Sequence, residues 1–273
     1  MNYIKTPLQK TEAAIAQADA VLIGAGAGLS TAAGIHYGGP DFEKAFADMI
    51  ARYGFTDLYT SSFYPFRSEE EKWAYWSRHI DYARFAPEAK PLYRHLLELV
   101  QGKEYFVITT NVDGQFVKAG YDPDKVFEVQ GDYGLMQCAT ACHPKRYSNE
   151  SLVKQMVAEQ KDCRIPSALV PRCPVCGGPM EINVRKDQYF VEDNRWHQQA
   201  ERYYAFLEKT LGKGKLALLE YGVGYNTPTI IRFPFERMAA SYQDVTLIRI
   251  NKDYRDFQTP GISHFIGLET LFL

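Results

Sequence analysis

An apolar run opening into three alternate glycines constrains this chain more than any other stretch. It reads Val21-Leu22-Ile23-Gly24-Ala25-Gly26-Ala27-Gly28-Leu29-Ser30. Val21 to Ile23 have the character of a buried strand. Glycines lack a Cβ, so the backbone can turn sharply there and approach a ligand closely. A helix opening at Leu29 would turn its first N–H groups toward the same spot, a place suited to a pyrophosphate. The same glycine pattern also serves tight strand-to-helix turns that bind nothing, so the rest of the chain has to decide.

Further apolar strands are predicted at 105–109, 126–129, 216–220 and 245–250. Each ends in polar or glycine-rich sequence: Thr110-Asn111-Val112-Asp113, Gln130-Gly131-Asp132, Gly222-Val223-Gly224-Tyr225-Asn226 and Asn251. Helical stretches separate the strands, which predicts a parallel α/β sheet with its polar loops on one rim, where open sheets bind ligands. Helices are expected at 6–18, 30–33, 43–52, 69–84, 91–101 and 196–211. Trp73, Tyr75, Trp76 and Tyr82 make 69–84 a helical insert with a core-forming face. His36 to Phe42 read as a loop beside the glycine turn. Pro234 breaks the stretch 230–238, and 261–273 read as a terminal docking segment.

The five cysteines are Cys138, Cys142, Cys163, Cys173 and Cys176. An odd count with no export signal argues against a disulfide framework. Four of them form two close pairs, the second carrying Pro174 and Gly177 at its knuckle. This spacing predicts a structural zinc site of Cys138, Cys142, Cys173 and Cys176, because four thiolates leave no position for a reacting water. His143 directly follows Cys142 and could replace a cysteine, although four suffice. Cys163 reads as a small buried side chain. A net charge of -2 gives no nucleic-acid-binding surface, and no apolar run approaches membrane-spanning length. The polar start of the chain lacks the apolar segment of a secretory signal, so a cytoplasmic location is expected.

Taken in order, the Gly24–Ser30 turn, Thr110-Asn111-Val112-Asp113, Gln130-Gly131, the two cysteine pairs, Gly222-Val223-Gly224 and Ile250-Asn251 resemble the sirtuins. The resemblance covers about residues 20 to 253. It implies NAD as cofactor, a Rossmann-like large domain (1–44, 85–135 and 212–273) and an inserted helical and zinc-ribbon domain (45–84 and 136–211). It also implies site roles. Gly24, Ala25 and Gly26 would contact the pyrophosphate, and Ser30 a phosphate or a helix cap. Asn111 and Asp113 would serve the ribose and nicotinamide. Gly222, Val223, Asn226 and Asn251 would surround the adenosine. Asn111 and Gln130 would be the catalytic pair.

Three departures from the family pattern are informative. Thr110 stands where most sirtuins have Gln. Gly34-Ile35 is separated by four residues from Pro40-Asp41-Phe42, with Glu43 where Arg is usual. The customary catalytic His is Gln130. In deacylation that His acts as a base on a ribose hydroxyl; a Gln amide can orient the hydroxyl but not take its proton at neutral pH. These departures resemble the macrodomain-linked (class M) microbial sirtuins. That resemblance implies protein ADP-ribosyl transfer, a lipoylated carrier of the glycine-cleavage type as acceptor, and a partner macrodomain. Deacylation tolerating Gln130, NAD hydrolysis, and NAD or ADP-ribose sensing without catalysis stand as alternatives.

Overall fold

The computed structural model describes residues 6–256 and 260–271. Nine strands are present among them: β1 (Ala20–Ala25), β2 (Glu104–Thr109), β3 (Val126–Glu128), β4 (Gly131–Cys138), β5 (Arg146–Ser148), β6 (Met180–Val184), β7 (Leu216–Tyr221), β8 (Val245–Ile250) and β9 (Phe265–Leu268). The helices are α1 (Pro7–Gln17), α2 (Ala27–Ala32), α3 (Pro40–Ala45), α4 (Ala47–Tyr53), α5 (Leu58–Ser61), α6 (Glu69–Ile80), α7 (Pro91–Val100), α8 (Gln115–Lys118), α9 (Glu150–Glu159), α10 (Asn194–Thr210) and α11 (Arg232–Ser241). Local chemistry sets many of their starts. Thr6 and Gln9 form a reciprocal cap on α1, Ser68 caps α6, Asp193 caps α10, and Pro91 opens α7.

Six strands form one all-parallel sheet in the order β3-β2-β1-β7-β8-β9. This is the doubly wound order in which the chain reverses direction between two central strands, here β1 and β7. Alternate residues of β1 feed two cores: Val21 and Ile23 pack with Tyr93, Leu96 and Phe116, while Leu22 packs with Phe106, Phe206 and Phe235. Both faces are covered, so all six residues of β1 are buried.

The second unit has its own core, running from Phe42, Phe46, Trp73 and Tyr75 to Cys138, Met156 and Ile182. It combines α3 to α6 and α9 with an antiparallel sheet of order β5-β4-β6. The helix α6 passes into a π-helical turn at Asp81–Phe85.

Several details depart from the sequence reading. Helix α2 begins at Ala27, two residues before the expected Leu29. Pro234 does not break α11; it sits in the first turn, where backbone N–H groups have no partner within the helix. The tail supplies the sixth strand, β9. Helix α10, within the 136–211 stretch that the resemblance gives to the smaller domain, packs on the parallel sheet, its Tyr203 and Phe206 against Phe106. Phe42, within the 1–44 stretch given to the larger domain, is buried in the core of the smaller unit. The small antiparallel sheet had no expectation behind it, because its strands are short and interrupted by the cysteine turns.

Candidate nucleotide site and cysteine cluster

A cavity of about 740 Å³ lies at the β1/β7 switch point, outside the carboxyl ends of the strands. A second cavity, of about 470 Å³, lies at the opposite rim near Lys10, Lys215 and His264. The first holds the position where doubly wound sheets bind ligands, and the second does not.

The two glycine turns meet at the cavity. Gly28 N–H donates to the Gly222 carbonyl at 2.9 Å, and Gly26 N–H to the Tyr221 carbonyl at 3.0 Å. A Cβ on Gly28 would lie 2.6 Å from Gly222 Cα, and one on Gly222 would lie 2.2 Å from Leu29 N. The glycines are therefore required first by each other. Gly24 faces away from the cavity, toward Ile231 and Phe235 of the α11 side, where a Cβ would approach within 2.5 Å. Ala25 is fully buried, its carbonyl accepting from Thr110 N–H at 3.0 Å and from Thr109 Oγ1 at 3.2 Å.

Of the residues assigned to cofactor, Gly26, Gln130, Gly222, Val223, Asn226 and Asn251 line the cavity. Asn226 is exposed. The Asn251 side chain is largely committed to its own turn: Nδ2 donates to the Val223 carbonyl at 3.0 Å, and Oδ1 accepts from the N–H groups of Asp253 and Tyr254. Sequence reasoning missed Tyr225 and Tyr254, which line the same end and meet edge to face at 4.9 Å. The buried Arg232 lies 4.2 Å from the Tyr225 ring centre.

Ser30, Asn111 and Asp113 sit behind the glycine turn in one buried network. Ser30 Oγ donates to Asp113 Oδ2 at 2.5 Å and lies 3.0 Å from the Tyr93 hydroxyl. Asn111 Nδ2 donates to the Gly26 carbonyl at 3.1 Å and to Tyr93 at 3.3 Å. Asp113 Oδ1 accepts from Gln115 N–H at 3.0 Å. Burial pushes the Asp113 carboxyl up, and the Ser30 hydrogen bond opposes that rise. Tyr93 joins the strand end to the glycine turn, yet nothing in its sequence context distinguishes it from an ordinary helix residue.

Gln130 occupies the link between the two sheets, between β3 at an edge of the parallel sheet and β4 at the centre of the antiparallel one. Its carbonyl accepts from Arg185 N–H at 2.9 Å. Among the described residues no hydrogen-bond partner holds its side-chain amide, and the residue lines the cavity. Gly131 follows with φ +97°, and a Cβ there would stand 2.0 Å from the Asn183 carbonyl oxygen. The Gln-Gly pair is thus fixed by the passage from one sheet to the other.

Two residues beyond Gln130, Asp132 receives the Arg84 guanidinium through both oxygens, at 2.7 and 3.2 Å. Arg84 comes from the π-helical turn and lies over Gly114, where a Cβ would be 2.3 Å from its Cζ. One guanidinium therefore touches both loops that carry Asn111 and Gln130. Glu128, in the same strand end, is raised to about 8, first by burial and then by the charge of Asp132, with Arg84 and Arg195 opposing. The loop that begins at His36 is pinned by Tyr82 Oη donating to the His36 carbonyl at 3.0 Å and by Leu58 N–H donating to the Tyr37 carbonyl at 2.7 Å.

The four expected cysteines converge, with every pair of sulfurs within 4.8 Å. The Cys138–Cys176 and Cys142–Cys173 sulfurs are 3.7 Å apart. A tetrahedral zinc with Zn–S bonds of about 2.3 Å places its sulfurs about 3.8 Å apart, so the cluster is able to bind zinc. The Cys173–Gly178 knuckle is closed by Cys173 N–H to the Gly178 carbonyl and Gly177 N–H to the Cys173 carbonyl, both at 2.8 Å. Cys163 is buried and apart from the cluster.

A parallel sheet in doubly wound order, a cavity at its switch point and an inserted four-cysteine unit together define the architecture of sirtuins, whose enzymes depend on NAD. The chain belongs to the Sir2 family, whose model matches residues 26–205. It is 42% identical over 240 residues to a Staphylococcus aureus (strain Mu50) relative named protein ADP-ribosyltransferase, covering 88% of this chain and 76% of that one. It is 32% identical over 246 residues to a Fusarium oxysporum f. sp. cubense relative named probable bifunctional ADP-ribose hydrolase/ADP-ribosyltransferase, covering 86% of this chain and 41% of that one. A solved structure of a Sir2 homolog–NAD complex shares the fold with a TM-score of 0.57 at 18% identity, covering 96% of this chain and 88% of the other. No helix among the described residues is long and apolar enough to cross a membrane.

Proposed function

We propose that this chain is an NAD-dependent protein ADP-ribosyltransferase. The observation that carries the reading is Gln130, which lines the cavity and stands, by the resemblance, where a sirtuin deacylase needs a proton-accepting His. The names of the S. aureus and F. oxysporum relatives support it.

NAD, when bound, would supply an activated ribosyl group for transfer to an acceptor. The chain's own residues do the positioning. Gly26, Gly222 and Val223 offer backbone to the phosphates and adenosine ribose, and Asn226 reaches the same end from an exposed turn. Asn111 Nδ2 is fixed by the Gly26 carbonyl and Tyr93, and its amide oxygen is the group proposed to meet the nicotinamide ribose. Gln130 orients a ribose hydroxyl without removing its proton. Asp113 and Asp132 act one step back, holding the loops that carry Asn111 and Gln130 through Ser30, Gln115 N–H and Arg84. The cysteine cluster holds zinc as a structural centre with no open position.

A protein carrying a lipoyl arm is the proposed acceptor, and a macrodomain the proposed partner for removing the mark. The relative whose name joins ADP-ribose hydrolase to ADP-ribosyltransferase is consistent with such pairing. Incubation with labelled NAD and lipoylated or unlipoylated carrier proteins tests the reading. Label on the carrier, with nicotinamide released in equal amount, is the expected result. Free ADP-ribose with no labelled protein would make the chain a glycohydrolase, and turnover of an acyl-lysine peptide would make it a deacylase. Binding of NAD without nicotinamide release would leave a sensor.

A further inference from the structure

The cysteine cluster has a fifth donor beside it. His143 Nδ1 lies 3.1 Å from Cys142 Sγ and 3.8 Å from Cys173 Sγ. Nitrogen and sulfur ligands on one tetrahedral zinc stand about 3.6 Å apart, given Zn–N near 2.0–2.1 Å and Zn–S near 2.3 Å. The imidazole nitrogen therefore sits at a ligand-like distance from Cys173 and within hydrogen-bond reach of Cys142, whose position it would take. The other ring nitrogen, Nε2, is 2.8 Å from the Tyr147 hydroxyl. Tyr147 belongs to β5 and pairs in register with Met136, two residues before Cys138. The ring is thus anchored to the sheet that carries the first cysteine.

The four sulfurs are not equivalent. Cys138 and Cys173 are buried, whereas Cys142 and Cys176 are exposed. Cys142 is the exposed one with a histidine beside it. We propose that His143 is a reserve zinc ligand. Its Nδ1 takes the coordination position of Cys142 whenever that sulfur is lost, converting a four-thiolate site into one of Cys138, His143, Cys173 and Cys176. Zinc accepts three thiolates and an imidazole as it accepts four thiolates. An Nε2–H donated to Tyr147 Oη leaves the lone pair on Nδ1, the tautomer that ligates. Exchange of a thiolate for a neutral imidazole also lowers the negative charge gathered at the metal.

Zinc content per chain, with the thermal melt as a check on folding, separates the outcomes. In Cys142→Ser about one zinc per chain is expected to remain, whereas Cys173→Ser and the double variant Cys142→Ser/His143→Ala lose it. His143→Ala alone keeps its zinc, because four thiolates remain. Equal zinc loss in Cys142→Ser and Cys173→Ser overturns the proposal, as does full zinc in the double variant. Refolding Cys142→Ser from denaturant with Co²⁺ covers failure of that variant to fold during expression. A thiolate-to-cobalt absorption band weaker than wild type, and absent in the double variant, is expected; no band in Cys142→Ser overturns the proposal. Wild-type protein that binds no metal at all would instead refute the zinc assignment itself.

Discussion

The lining of the nucleotide cavity and the network behind it are built from different materials. The lining at the switch point is backbone: the turns at Gly26–Gly28 and Gly222 press together with no side chain between them. Behind it the material is side chain: Ser30, Tyr93, Asn111 and Asp113 form one buried network, and Arg84 with Asp132 forms a second. The backbone lining fails when any atom is added. The side-chain network fails when a partner is removed, because a buried charge or amide is then left unpaired.

Substitutions can test this contrast, and the largest effect is expected on the backbone side. Gly222→Ala places a Cβ 2.2 Å from Leu29 N at a residue with φ +64°. Overpacking and left-handed strain together are worth on the order of 3 kcal/mol. A lowered melting temperature and loss of NAD heat in calorimetry are expected, and a variant that melts with wild type would show that the turns do not constrain each other.

Arg84→Met should come next, costing on the order of 3 kcal/mol, because the mostly buried Asp132 loses its paired charge and both hydrogen bonds from Arg84, keeping only the one from Gly134 N–H. Adding Asp132→Asn to it should recover part of the loss. Denaturant titration of the two variants tests this, and absence of any recovery would deny that the pair acts as a unit.

Gln130→Ala should leave stability close to wild type while lowering the transfer rate about 100-fold, the size expected when a positioning group is lost. A rate within a few-fold of wild type would remove Gln130 from the chemistry and with it the proposed division from deacylation.

The effect expected at Glu128 depends on pH alone. Its carboxyl is raised in the fold from 4.5 to about 8, so the stability it contributes is full below 4.5 and is lost as pH rises toward 8. Glu128→Gln should therefore match wild type in acid and melt higher than wild type on the alkaline side. A constant difference across that window would show that the Glu128 carboxyl does not change charge there.

Much of this architecture was legible in the residues. Apolar runs ending in Gly, Asn or Gln mark parallel strands, because buried strands need apolar side chains on both faces and their carboxyl ends face solvent. The cysteine pairs were legible because metal ligation imposes spacing along the chain. Helix α10 was misplaced because an amphipathic stripe does not say which surface it meets. Strand β9 was hidden because a short edge strand carries little pattern. The role of Ser30 also lay beyond the sequence: a hydroxyl one turn into a helix can face a phosphate or a carboxylate, and here it faces Asp113, 83 residues away.

Neighbouring residues alone laid down the sheet's central strands, the glycine turns and the two cysteine pairs. Each of these is written in local chemistry, in the type and spacing of residues close together in the chain. Folding in three dimensions settled that Gly28 is required by Gly222, that Arg84 joins the loops of Asn111 and Gln130 through Gly114 and Asp132, and that His143 stands beside the thiolates. These are contacts between residues distant in the chain or turned by a particular backbone path, and their energies depend on distance and burial that no local pattern encodes.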